Sequence, residues 1–412
     1  MSAAPDTPLS SVSLLSPATF ADPYPVARLL REQDPVHWSR ELGSWVLTRY
    51  ADVSSCLHDP RLSADRLPPL DRLAEFGLEP LRPLMSTVRR MFLFLDPPQH
   101  TRLRRTVNRA FTRPSIEAWR LEIERLVVTL LDRLEGRESA ELLAEVAQPL
   151  PLAMIRLVRG IPEDAQPRLK AWSEDVSRFF GGFSHTHQVL ATVQHSVLEF
   201  TEYLRALLDD RRRENDPERL DLLSVLARDH GDRLTDDEIL ANAILLVAAG
   251  HVTTTDLVGN GVCALLRSPA HAGLLRARAE APGFVEAAVE ELLRCESPVQ
   301  MTARLVAEDL ELGGRQIRKG QWVVLWLGAA NRDPDRFADP DRIDFERNDN
   351  KHVAFGMGSH FCIGAPLARL QAQIVLPALL RRFPDMRLAG APLVWEQNAT
   401  LRGLKALPVM LR

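Results

Sequence analysis

The stretch Phe355-Gly356-Met357-Gly358-Ser359-His360-Phe361-Cys362-Ile363-Gly364 sets one cysteine among glycines, directly before a helix-forming run from Ala365 to Leu380. A thiol at a helix N-terminus lies where backbone N–H groups converge, which favours its thiolate. The glycines let the chain turn tightly and let a flat ligand approach the backbone. The plain alternative is a cysteine packed as a small apolar residue on a glycine-rich loop. Which reading holds depends on the rest of the chain.

The chain has 412 residues, a net charge of −4, 45% hydrophobic and 26% charged residues. That is ordinary for a globular protein with a large core, and the charge gives no reason to expect a nucleic-acid partner. Cys56, Cys263, Cys295 and Cys362 form no C-x-x-C pair and no disulfide framework, which argues against a zinc site and fits a reducing compartment. Residues 1–25, rich in Ser, Ala and Pro, read as a partly irregular extension. They have neither the basic segment nor the apolar core of a secretory signal, and their apolar pieces are too short to span a bilayer.

Helical periodicity dominates. Ala27–Glu32, Ala51–His58, a segment after Asp96-Pro97-Pro98, Ile116 to Gln148, Ile155 to Trp172 and Thr192 to Arg213 all read as helix. Arg61 to Arg90 reads as a long loop with short helical pieces, and Phe179 to His185 as a break. Thr235-Asp236-Asp237-Glu238 is a capping box that opens a long helix to about Arg267, apolar nearly all round from Ile239 to Ala249 and therefore buried. Gly283 to Cys295 is a further helix. Strands are expected at Val36–Trp38 and Ser44–Thr48, paired as a hairpin, at Arg304–Leu310 and Gln321–Trp326, and near Met386–Leu388 and Lys405–Met410. The fold class is mainly α with a minor β portion, and residues 26–412 read as one compact domain without repeats or linkers.

Several pairs carry potential chemistry. Glu291 and Arg294 stand at i, i+3 on one helix face, the spacing of a charge-assisted pair. His100 and Arg104 stand one turn apart, a spacing that clamps a carboxylate. The buried helix carries Ala248-Ala249-Gly250-His251-Val252-Thr253-Thr254, small residues followed by two hydroxyls.

Taken together, these segments resemble the cytochrome P-450 family over essentially the whole chain. The cysteine loop is similar to its haem-binding loop, the Glu-x-x-Arg to its buried charge network, and the Ala-Gly-x-x-Thr-Thr segment to its oxygen-binding helix. The resemblance implies the cytochrome P-450 fold, with haem b (iron protoporphyrin IX) between a long distal helix and the cysteine loop. It makes Cys362 the axial ligand of the iron. It assigns His100, Arg104, Arg304 and His360 to the haem propionates, with Phe355 shielding the sulfur and Gly356, Gly358 and Gly364 supplying turns. Ala249 and Gly250 leave room over the iron, Thr253 is the hydroxyl that assists oxygen activation, and Thr254 stands beside it. Glu291, Arg294 and the Arg342 of Pro340-Asp341-Arg342-Ile343 form the structural lock, although the family usually has an aromatic residue at Ile343.

The resemblance also implies a fairly apolar substrate pocket drawn from Leu84 to Phe94, Phe179 to Ser184, Leu245, Ala248, Val252, Val299, Gln300, Thr302 and Ala399 to Leu401 with Thr400. The expected activity is that of a soluble, cytoplasmic, monomeric monooxygenase of secondary metabolism. It would use O2 and two electrons from a ferredoxin-type donor with an NAD(P)H-dependent reductase, without membrane or nucleic acid. Arg105, Arg109, Arg113, Lys351 and Arg369 would form a basic patch for that donor. One departure stands out. Val252 occupies the position where most members carry an acid that gates proton delivery. The consequences left open are delivery through Thr253, Thr254 and water, a polar group supplied by the substrate, or a reaction other than hydroxylation, such as coupling, rearrangement or peroxide-driven oxidation. A haem-binding protein without turnover is the alternative of another class.

Overall fold

A computed structural model describes residues 12–109, 111–181, 186–214, 216, 221–227 and 234–412. Its axis is the helix Asp236–Arg267. Thr235 Oγ1 accepts the N–H of Glu238, whose carboxylate in turn accepts the N–H of Thr235, so two orphan donors of the first turn are satisfied reciprocally. Ile239 to Ala248 are buried without interruption, because helices Pro149–Arg159, Gln166–Gly181, His187–Glu214 and Ala365–Arg382 surround this rod. The helix is long and apolar enough to cross a membrane by composition, but 72% of its apolar window is buried inside the protein.

The β portion is small. β1 (Val36–Ser39), β2 (Ser44–Leu47), β3 (Leu62–Ser63), β5 (Met301–Val306) and β8 (Trp322–Trp326) form one sheet in the order β1-β2-β8-β5-β3. The hairpin pairs Trp38 with Trp45, and β8 lies parallel to β2 and antiparallel to β5, where Arg304 faces Val323. β4 (Ser139–Glu141), β9 (Arg387–Leu388) and β10 (Pro408–Met410) form a second sheet, and β6 (Leu310–Leu312) and β7 (Arg315–Ile317) a hairpin across Gly313-Gly314.

Two expected helices are interrupted. Ile116 to Gln148 breaks at Gly136 (φ +78), after which β4 is drawn out to pair with β10. Its apolar spacing continues through both, so the pattern alone conceals the break. Ile155 to Trp172 breaks at Gly160 (φ +66), where a Cβ would stand 2.7 Å from the Asp221 carboxylate. Residues 12–25 are more ordered than a loose extension: Ser16 caps the helix Pro17–Ala21, and Leu14 is buried against the main sheet. Part of the Phe179–His185 break, residues 182–185, lies outside the described residues.

The lock beneath the cysteine loop is present, with one correction. Glu291 and Arg294 are 0% exposed and joined by two bonds of 2.7 and 2.8 Å. The third cation is Arg347, whose Nε lies 3.2 Å from Glu291, and not Arg342. Arg342 is exposed and contributes only its carbonyl, which accepts Arg294 Nη2 at 3.0 Å. The reason is geometric: the chain turns at Asp339 (φ 45), presenting the carbonyls of Pro340 and Arg342 to Arg294. The next turn then brings Arg347 and the N–H of Asp344 to the carboxylate. Asn331 carries this network to the loop, accepting Arg294 Nη1 on its carbonyl and the Val353 N–H on its Oδ1.

Removing the carboxylate leaves Arg294 buried without a counter-ion. Glu291→Ala is therefore expected to cost about 3–5 kcal/mol in urea unfolding. Arg342→Ala is expected to stay within about 0.5 kcal/mol of the parent protein.

Candidate active site

Between the cysteine loop and the long helix lies a cavity of ≈ 290 Å³. Its floor is Phe355 to Met357, His360 to Gly364 and Gln371, and its roof is Leu245, Leu246, Ala249, Gly250, Thr253, Thr254 and Leu257. The roof residues recur at helical spacing, so one stripe of the long helix faces the cysteine.

The loop is bent by Gly356 (φ +67) and Gly358 (φ +68). At Gly358 a Cβ would stand 2.7 Å from the Leu57 carbonyl, so only glycine fits. Gly364 has an ordinary backbone, and a Cβ there would lie 3.9 Å from the Cys362 sulfur; it supplies proximity to the cavity and not a left-handed turn. The N–H of Cys362 donates to Phe355 O at 2.9 Å, which closes the loop. Cys362 counts as exposed only because its side chain opens on the internal cavity. Burial pushes its thiol up, against the N–H groups of Gly364 and Ala365 and the charge of Arg104, which pull it down.

One wall is basic, and among the described residues no ion pair answers its guanidiniums. His100 is 2% exposed, stacks on His360 with ring centroids 4.1 Å apart, and has no hydrogen-bond partner on either ring nitrogen. Nε2 of His360 also lacks one. Burial, helped by neighbouring cations, lowers His100 to about 4 and His360 to about 3. Arg104 lines the same wall and donates to Phe361 O. Arg304 donates to Thr302 Oγ1 at 3.1 Å and Ala303 O at 2.9 Å. Burial lowers both guanidiniums. Arg66, which sequence reasoning missed, joins them: it donates to Ala303 O at 3.2 Å, and burial beside Arg304 lowers it to about 9. Asp96 raises Arg304 and His100, but its carboxylate already accepts Ser63 Oγ and the Ala64 N–H. The one carboxylate that acts on Arg304 is thus already occupied. A lone arginine on a proline-rich loop carries no sequence signal, which is why Arg66 escaped notice.

On the roof, Thr253 Oγ1 donates to Ala249 O at 2.5 Å, and its side chain is half-buried against the cavity. No carboxylate lines the cavity among the described residues. Val252 is half-buried and lies outside the lining. His251 is buried with Nδ1 2.6 Å from Ser173 Oγ, turned from the cavity, and burial holds it down at about 3. The buried acid nearest Thr253 on this helix is Asp256, also missed. It packs on Gly403, where a Cβ would stand 2.0 Å from its Oδ1, and burial raises it well above the usual carboxylate range.

Of the expected substrate contacts, Leu245, Val299 and Thr302 line the cavity, as do Phe92 and Leu93 of the long loop. Ala248, Gln300, Thr400 and Val252 do not. The Ala248 carbonyl accepts Ser177 Oγ at 3.3 Å on the opposite side of the helix. Gln300 is 3% exposed and spends its amide on Ser297 O and Trp326 Nε1, while Thr400 offers its carbonyl to the Gln300 N–H. Met154, Ile155, Leu246 and Leu327 take their places, so the wall is more apolar than expected.

An apolar cavity over a cysteine loop, flanked by unpaired basic groups, is the kind of site that takes a flat cofactor bearing two carboxylates. The chain belongs to the cytochrome P-450 family, whose profile matches residues 83–280 and 277–385. Cytochrome P-450 107B1 of Saccharopolyspora erythraea is 41% identical over 383 residues, 89% of each chain. Cytochrome P-450 monooxygenase PikC of Streptomyces venezuelae is 38% identical over 418 residues, 98% of this chain and 95% of that one. Among solved structures, P-450BioI in complex with an acyl carrier protein ligated to hexadec-9Z-enoic acid superposes with a TM-score of 0.88. It is 34% identical and covers 96% of this chain and 100% of that one. The protein is accordingly a haem enzyme of the monooxygenase class, and the surplus of positive charge in the wall fits the two propionates of haem.

Arg104→Leu and Arg304→Leu each remove a charge-assisted contact to such a carboxylate. Each is expected to speed haem loss to apomyoglobin by about 10-fold, the equivalent of roughly 1.4 kcal/mol, without abolishing folding.

Proposed function

We propose that the protein is a haem-b monooxygenase that oxidises, most simply hydroxylates, a fairly apolar small organic molecule of secondary-metabolite type. It takes O2 as oxidant and two electrons from a ferredoxin-type donor served by an NAD(P)H-dependent reductase. Residues 26–412 act as one catalytic unit, monomeric and cytoplasmic. The observation that carries this reading is Cys362 opening on an apolar cavity opposite Thr253, beside a basic wall that lacks its carboxylates.

Cys362 would ligate the iron, and His100, Arg104, Arg304, His360 and Arg66 would hold the propionates. When bound, the haem supplies activation of O2, with electron donation from the thiolate. The balance is one C–H bond and O2 with two electrons and two protons, giving C–OH and water. The chain supplies the rest. Phe355 and the closed loop keep water from the sulfur. Leu245, Leu246, Phe92 and Val299 exclude water above and hold an apolar substrate. Ala249 and Gly250 leave space at the centre of the roof. Thr253, whose hydroxyl rests on the Ala249 carbonyl, holds and passes protons at its Oγ1. The relatives named above, a monooxygenase and a fatty-acyl carrier complex, are compatible with an apolar substrate.

A second reading is favoured by the cavity's lack of any carboxylate, with Val252 standing where an acid is expected. In that reading the native reaction is not hydroxylation but coupling, rearrangement or peroxide-driven oxidation. Reconstitution with NADH, a surrogate redoxin pair, labelled O2 and the authentic substrate separates the two. Tight coupling with one labelled oxygen atom in the product supports monooxygenation, and product formed from peroxide alone, without label from O2, supports the second.

The Val252 position gives a mutational test. If only a proton donor is missing, Val252→Glu raises coupled turnover by several-fold; if the native reaction depends on its absence, the yield of native product falls. Arg105, Arg109 and Lys351 are proposed to attract the donor; the side chain of Arg113 lies outside the described residues, and Arg369 is bound by Glu290. Donor-driven rates are expected to fall between ~0.05 and ~0.5 M salt, where screening shortens the reach of surface charge. A flat profile would remove the patch.

A further inference from the structure

Glu290 stands next to the Glu291 of the lock but turns to a different partner. Its two oxygens receive Nε and Nη2 of Arg369, both at 2.7 Å, a bidentate pair. His352 adds a third contact, with Nε2 3.2 Å from Oε2 of Glu290. Nδ1 of His352 accepts the Ala354 N–H at 3.2 Å, and its Nε2, though close to the carboxylate, makes no hydrogen bond among the described residues. Burial pushes the Glu290 carboxyl up, but the nearness of His352 and the pair with Arg369 outweigh it and bring it down to about 2.

Arg369 lies in the second turn of the helix Ala365–Arg382, seven residues beyond Cys362. Its guanidinium stands 4.6 Å over the face of Phe355. The carbonyl of Phe355 is the group that receives the Cys362 N–H at 2.9 Å. A continuous set of contacts therefore runs from Glu290 through Arg369 and Phe355 to the cysteine. The charge of Arg369 also reaches the sulfur directly, favouring its anion.

We infer that Glu290 and Arg369 are positioning residues that set the electric field at the Cys362 sulfur, with Glu290 cancelling the charge of an arginine held beside the haem ligand. This rests on the reading of Cys362 as that ligand. The physical consequence has a sign. One-electron reduction of ferric to ferrous haem, with the electron supplied by dithionite, adds negative charge to the site. A nearby cation without its counter-ion favours the reduced form, and a nearby anion without its counter-ion disfavours it. A scaffold that merely held the loop in place would have no such sign.

The experiment is a spectroelectrochemical titration of the haem-loaded full-length protein, with thiolate ligation followed in parallel by the reduced-CO band. Glu290→Gln keeps the shape and loses the charge, and its midpoint potential is expected to rise. Arg369→Gln is expected to lower it. The double variant Glu290→Gln/Arg369→Gln is expected to return close to wild type, all with thiolate ligation kept. Shifts of the same sign in both single variants, no shift in either, or a double variant further from wild type than both would overturn the inference. Should Glu290→Gln fail to retain haem, Arg369→Lys against Arg369→Gln makes the same comparison: the charge-keeping variant stays near wild type and the neutral one falls, and equal shifts contradict the inference. A wild-type protein without a thiolate band would instead strike at the reading of Cys362.

Discussion

A carboxylate with no access to water, that of Glu291, fixes the lower half of this molecule. In a low-dielectric interior such a group persists only where charges and donors meet it from several directions. Arg294, Arg347, the N–H of Asp344 and Asn350 Nδ2 do so here. Arg294 in turn gathers the carbonyls of Asn331, Pro340 and Arg342. The effect is to bring a helix, a turn near Asp339 and the approach to the cysteine loop to one point, from which Asn331 reaches Val353. The position of Cys362 is thus set by a charge network that no solvent can relax.

The upper half obeys a different constraint. The long helix must be buried on every side, yet it must leave one stripe uncovered. Ala249 and Gly250 achieve this by lacking bulk, and Thr253, beside Thr254, places a hydroxyl in a mainly apolar roof. Between the halves stands a wall whose positive charge is not answered by the chain itself. Among the described residues His100 has no partner on either ring nitrogen, and Arg66, Arg104 and Arg304 donate only to carbonyls and a hydroxyl. Unsatisfied buried groups are costly, so their concentration at one wall points to a ligand and not to packing.

Much of this was legible in the sequence because the devices involved are local. The capping box at Thr235, the all-round apolar run of the long helix, the glycine-bent cysteine loop and the Trp38/Trp45 hairpin each need only neighbouring residues to be recognised. What was not legible depends on chain segments meeting in space. Arg347 replaces Arg342 because the turn after Asp339 presents a carbonyl where a side chain was expected. β4 lies hidden in a helical pattern because its partner β10 is 267 to 271 residues away. The pocket residues that failed, Ala248, Val252, Gln300 and Thr400, sit on the right elements but outside the lining: the first two lie off the stripe of the long helix that faces the cysteine, and the short segments carrying Gln300 and Thr400 have no periodicity to specify a face. Arg66 and Asp256 are ionisable groups held in the interior only because distant segments close over them.

The account stands or falls on Cys362 as the haem ligand. The most direct measurement is the reduced-CO difference spectrum of the purified protein beside its Cys362→Ser variant. The account predicts the red-shifted Soret band of thiolate-ligated haem in the wild-type protein and its loss in the variant, with the fold retained. A wild-type spectrum of the histidine-ligated kind, or a variant that keeps the thiolate band, would contradict it.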